Sequence, residues 1–203
     1  MDLSSWLGFL ALSTVAVLTP GPTMLAIVGH AGGAGFRRTL PVVLGNALGI
    51  AVVIAVSIAG LAGALLRAPG VLRVLQLAGA AYLAWHGVRI WHHRAAPLPL
   101  TGERLGGGPL WRGFLLVWSN PKALLFFGAV LPQFLRRDRS PGLQFLEVAV
   151  TFLSLELAVT AVAALAAGRL VSAGTGWALA RIRGAGGLLL AGTAVFLALT
   201  AIR

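Results

Sequence analysis

The sequence predicts an all-α membrane protein: six transmembrane helices in two inverted three-helix repeats, with helices one and four broken at prolines. Three observations predict it. The 203-residue chain is 58% hydrophobic and 10% charged, with a mean hydropathy of +0.91, outside the range of soluble domains. Apolar runs of about 20 residues recur, with gaps too short to hold a soluble domain. The proline breaks also recur: Pro22 lies 99 residues before Pro121, and Arg37-Arg38 lie the same 99 before Arg136-Arg137. Each half holds three spans, an odd number, so the second half is inverted. Broken helices at matching places in inverted repeats are a transporter signature.

The chain reads as a single transmembrane domain over 1–203: repeat one about 1–95, a flexible loop about 95–111, and repeat two about 112–203. The first span, 3–29, lacks the positive start and cleavage site of a signal peptide, so it is expected to be retained. It contains Thr19-Pro20-Gly21-Pro22-Thr23, which cannot continue a regular helix. The second span, 39–66, is long enough to require tilt or an extramembrane end. The third is 70–92. The loop after it carries Pro97, Pro99 and Gly106-Gly107-Gly108-Pro109. The fourth span, 112–135, is broken at Ser119-Asn120-Pro121-Lys122, and spans 143–168 and 184–202 follow. Trp6, Trp91, Trp111 and Trp177 fall near span ends, where interfacial indoles belong. Arginines are more numerous in the loops after spans one, three and five than on the opposite side. That bias places both termini outside.

The net charge of +11 does not mark a nucleic-acid binder, because the arginines flank apolar runs and form no continuous basic face. The chain has no cysteine, which excludes disulfides and thiolate metal sites. No metal-ligand set is recognisable, and no cofactor is expected.

Chemistry concentrates at the two breaks. Lys122 is the only lysine and lies mid-span beside Asn120-Pro121, where a lipid-facing ammonium is disfavoured. It either pairs with an acid or ligates a substrate carboxylate. The break at Thr19, Pro20, Gly21, Pro22 and Thr23 frees carbonyls before it and N–H groups after it. The half-helix N-termini after Pro22 and Pro121 suit an anion, and the freed carbonyls suit a solute ammonium. Glu156 is the only carboxylate near the centre of a span. It can hold a coupling proton, bind an ammonium, or pair with Lys122. Other polar residues in the spans, among them Ser13, Asn46, Thr151 and Thr160, are read as helix–helix hydrogen bonds. Gly45, Gly49 and Gly60 are read as close-packing positions.

At these residues the chain resembles the LysE-type family of amino-acid exporters, which includes the homoserine/threonine exporter group. The resemblance rests on Thr19-Pro20-Gly21-Pro22, on Leu77-Ala-Gly-Ala-Ala-Tyr82-Leu83 with Gly87, and above all on Gly113 through Phe127 with its Asn120-Pro121-Lys122, continuing to Leu131-Pro132-Gln133-Phe134. Arg183-Gly-Ala-Gly-Gly-Leu is similar to the start of the family's last span. The resemblance implies a multi-pass carrier of the bacterial inner membrane, moving amino acids or similar metabolites outward on the proton motive force. Two departures bear on substrate. Members commonly carry asparagine where this chain has Thr23. Many carry an acid in the second span, where this chain has Ile50 and Ala51. The second departure disfavours a cationic substrate and leaves Glu156 as the internal proton candidate.

The expected partners are a small zwitterionic solute and the lipid bilayer; homo-oligomerisation is left open. An exporter of an inorganic ion or other small metabolite on the same fold is the alternative. An enzyme is disfavoured, because no nucleophile elbow or paired His-Glu motif is present.

Overall fold

Among the described residues, proline starts five of the seven α-helices that have continuous bounds. They are α1 (Leu3–Leu18), α2 (Pro22–Ala34), α3 (Phe36–Arg67), α4 (Pro69–His92), α5 (Pro109–Trp118), α6 (Pro121–Leu125) and α7 (Pro141–Ser172). A proline at the first helical position has no N–H to strand and a φ already set for the helix. The computed structural model describes residues 1–19, 21–67, 69–92, 107–118, 120–136, 138–172 and scattered helical positions within 188–199. Among them there is no strand.

Length decides which helices can cross a bilayer. At about 1.5 Å per residue, α1 is about 24 Å long and α2 about 20 Å, each short of a hydrocarbon core of about 30 Å. Joined at Thr19–Gly21 they form one apolar unit, bent by 49°. The second broken unit, Pro109–Trp118 with Lys122–Phe134, is bent by 57°. Among the described residues, two helices are long and apolar enough to cross unbroken, Phe36–Gly60 within α3 and Pro141–Ala167 within α7. The third expected span coincides with α4. Most of the sixth expected span and most of the 95–111 loop, with Trp177, lie outside the described residues.

After α6 the chain does not return to a regular α-helix. A π-turn covers Phe126–Val130 and a 3-10 turn covers Leu131–Phe134. Short π segments are frequent at functional sites. Gln144 then closes the connection to α7. Its Oε1 accepts from the Arg136 N–H, and its Nε2 donates to the Arg136 and Arg139 carbonyls at 3.0 and 3.1 Å. Outside the spans, the Arg136 guanidinium grips Asp138 at 2.9 and 2.7 Å and holds that carboxyl below the usual carboxylate range.

Glycines set the closest approach in the fold. A Cβ on Gly45 would lie 1.9 Å from the Leu110 carbonyl oxygen, and one on Gly113 would lie 1.9 Å from that of Val42. Gly49 faces the Phe114 carbonyl and the Val117 side chain. The backbones of α3 and α5 are therefore in direct contact, the small-residue packing expected where lipid offers no hydrophobic drive. Gly60 has no described residue within 4 Å and takes no part in that contact.

Between these elements lies an aromatic core of Phe9, Phe126, Phe127 and Phe152, with Phe127 and Phe152 edge to face at 4.7 Å. On the outer face of α3, Leu44, Leu48, Val52 and Val56 are all exposed. A helix apolar on both its packed and its open faces is suited to lipid. The Trp6 indole donates to the Thr151 hydroxyl at 3.1 Å, so this tryptophan also ties α1 to α7. Trp111 is exposed at the start of α5.

Candidate functional site

At the first break, proline chemistry decides what is left over. Pro20 itself lies outside the described residues. As a proline it has no N–H to give the Ala16 carbonyl, which four residues earlier would need it. The end of α1 is closed by Thr19, whose N–H and Oγ1 both donate to the Val15 carbonyl at 3.1 and 2.7 Å. The carbonyls of Ala16 and Thr19 receive the ammonium of Lys122, at 2.7 and 2.8 Å. A cation at a helix C-terminus also complements its dipole. Lys122 is 9% exposed, and two of its three N–H donors are taken by these carbonyls.

The two half-helix N-termini differ. At the second break the Asn120 side chain accepts from the Lys122 N–H at 3.2 Å, and the Asn120 carbonyl accepts from the N–H groups of Ala123 and Leu124. That end is capped from within. At the first break, Gly21 precedes α2 and gives no side-chain cap. The breaks are tied together by Asn120 Nδ2, which donates to Thr23 Oγ1 at 2.9 Å. Thr23 Oγ1 in turn donates to the Leu116 carbonyl at 3.4 Å.

Glu156, on α7, meets none of these groups directly. Its Oε1 accepts from Asn46 Nδ2 and from Thr160 Oγ1, each at 3.2 Å. The ion pairs among the described residues join Met1 and Arg139 to Glu147, and Arg136 to Asp2 and Asp138. Lys122 and Glu156 are not paired with each other.

Both nevertheless line one cavity of about 50 Å³, together with Thr19, Gly21, Thr23, Asn46, Asn120 and Thr160. Phe126 and Phe152 supply an apolar wall. At about 10–15 Å³ per water, the space holds about three to five waters.

The sequence-derived candidates therefore converge. Thr19, Gly21, Thr23, Asn120, Lys122 and Glu156 share the cavity, and Pro22 and Pro121 begin the helices that lead away from it. Three expectations meet a different arrangement. The carbonyls freed before Pro20 are occupied by Lys122 and are not open to a solute ammonium. The N-terminus after Pro121 is already capped by Asn120, so the open one is at α2. Thr160, read from sequence as a helix–helix bond, bonds within α7 instead, and holds the Glu156 carboxylate together with Asn46, whose bond does cross from α3 to α7. The signal that could have found Thr160 is helical spacing: it lies one turn after Glu156 on the same face.

Apolar helices of membrane-crossing length, two of the four units broken around a shared polar cavity, define a membrane transport protein. The chain belongs to the LysE type translocator family, which matches residues 14–201. It is a transporter and not an enzyme. It is 30% identical over 162 residues to an uncharacterized membrane protein of Vibrio cholerae serotype O1, covering 78% of each chain. It is 28% identical over 165 residues to the homoserine/homoserine lactone efflux protein of Salmonella typhimurium, again over 78% of each. It is 30% identical over 139 residues to the leucine efflux protein of Enterobacter sp., over 66% of each. No solved structure matches the chain.

Proposed function

We propose that the protein exports a small zwitterionic amino acid or amino-acid derivative across the bacterial inner membrane, in exchange for protons. The observation that carries this reading is the cavity in which Lys122 and Glu156 both stand without pairing to each other. One positive and one negative group, held apart in one small space, complement a solute with one of each. Of the solutes named for the two efflux relatives, homoserine and leucine are zwitterions with a neutral side chain, and homoserine lactone shares their amino group but has no free carboxylate.

In this reading the third N–H of Lys122 and the uncapped start of α2 at Thr23 meet the solute carboxylate. Glu156 serves proton and solute in turn: when it is protonated, its hold on an ammonium is lost. The wider architecture we infer is six spans in two inverted repeats. Both bends and the crossed contacts support it: Lys122 reaches the last carbonyls of α1, and Thr23 reaches a carbonyl of α5.

Reconstitution tests the reading. Proteoliposomes loaded with labelled L-homoserine or L-leucine should release it against a gradient when an opposing proton gradient is imposed. Release no faster than from protein-free vesicles, across a panel of neutral amino acids, would falsify the proposal.

A further inference from the structure

Asn46 carries a feature that its reading as a helix–helix bond does not explain. The residue is 1% exposed and its Oδ1 has no hydrogen-bond partner. A buried, unpaired carbonyl oxygen is costly to keep. With Glu156 ionised, the form that would hold an ammonium, chemistry decides which end of the amide faces where. An ionised carboxylate only accepts, so Asn46 must turn its NH2 toward Glu156, at 3.2 Å, and its oxygen away. Asn46 also lines the cavity that holds Lys122.

We propose that Asn46 Oδ1 and the Glu156 carboxylate together form an ammonium subsite, which selects solutes bearing a protonated amine. This rests on the proposed amino-acid export and adds the group that recognises the amine. The carbonyls before Pro20 are not available for that task, because Lys122 occupies them. Glu156 Oε1 already takes two hydrogen bonds, from Asn46 and Thr160, while Oε2 makes none to a described residue. The subsite thus offers one charged and one neutral acceptor with capacity to spare, against the three donors of an ammonium. Thr160 fixes the carboxylate on one side and Asn46 on the other, so both acceptors are positioned before solute arrives. A hydroxyl in place of the amine brings one donor and no charge, and leaves Asn46 Oδ1 or Glu156 underused.

The test is binding to the purified full chain, read as thermal stabilisation, so that it stands apart from export. The probes are L-homoserine and L-leucine, each beside its 2-hydroxy-acid analogue. The wild-type protein should be stabilised by the amines at about ten- to hundredfold lower concentration than by the hydroxy acids, the range expected of a charge-assisted bond. Asn46→Leu should reduce that preference several-fold by weakening amine binding more than hydroxy-acid binding, while the charge of Glu156 keeps the remainder. Asn46→Ser, whose hydroxyl both donates and accepts, should lose less of the preference than Asn46→Leu. It also keeps the test decisive if the leucine variant does not fold. Equal response of the wild type to amine and hydroxy acid, no response to any probe, an unchanged preference in Asn46→Leu, or a preference in Asn46→Ser no better than in Asn46→Leu would each overturn the subsite. Binding with the expected preference but no export would leave the subsite standing and remove the proposed function instead.

Discussion

Gly21 borders the space in which the Lys122 side chain lies: a methyl at residue 21 would stand 3.4 Å from Nζ and 3.6 Å from Cε. Those are ordinary van der Waals separations. The Gly21 backbone is extended, at φ −103 and ψ 179, a conformation any residue adopts. Gly21→Ala should therefore preserve folding and keep efflux within a few-fold of wild type. Gly21→Val, with two further methyls directed at the ammonium, should displace Lys122 and reduce efflux to background. Initial rates in proteoliposomes measure both. An inactive alanine variant would show that the glycine is needed for something other than room.

Lys122→Ala should abolish efflux and also weaken the fold. Removing the ammonium strands the Ala16 and Thr19 carbonyls, at about 1–3 kcal/mol for each buried acceptor left without a donor. Lys122→Arg should be impaired as well, since a planar fork does not replace a compact ammonium between two carbonyls of one helix end. Thermal unfolding in detergent beside transport assays separates the effects. An alanine variant with wild-type melting would contradict the capping role seen here.

Glu156→Gln tests coupling. The amide keeps the shape of the protonated acid and loses only the titration. Proton-driven uphill efflux should stop, while solute exchange at equal concentrations persists at a weaker apparent affinity. Because Lys122 is held by carbonyls and not by Glu156, the substitution should cost little stability and should not need Lys122→Met to restore it. Full uphill transport by the single variant would exclude Glu156 as the coupling group.

The glycine contacts predict a sharp contrast along α3. Gly45→Ala should destabilise strongly, because its Cβ would overlap the Leu110 carbonyl. Gly60→Ala should be neutral or slightly favourable, since no described residue lies near it and alanine is the better helix former. Comparing yield and melting temperature of the two variants decides the point, and equal behaviour would sink the packing argument.

Much of this was legible in the chain. The apolar runs marked α1 through α7, and proline spacing located both breaks, because proline acts through its own covalent geometry. Lys122 and Glu156 were conspicuous because a charge amid apolar residues has few reasons to be there. What sequence could not settle was pairing. Whether Lys122 meets a carboxylate or two carbonyls depends on how α6 is set against α1, and no periodicity encodes that. Asn46 was passed over for a related reason. A neutral amide within a span is ordinary, and its interest arises only from Glu156, 110 positions away in the chain.

The contact between α3 and α5 has a mechanical side. Where side chains meet, neighbouring helices can slide by changing rotamers. Where Gly45 and Gly113 set carbonyl against backbone, there is nothing to repack. A contact of this kind favours moving the two helices together as one unit. Enlarging a space that holds only a few waters then falls to the two bends, of 49° between α1 and α2 and of 57° between α5 and α6.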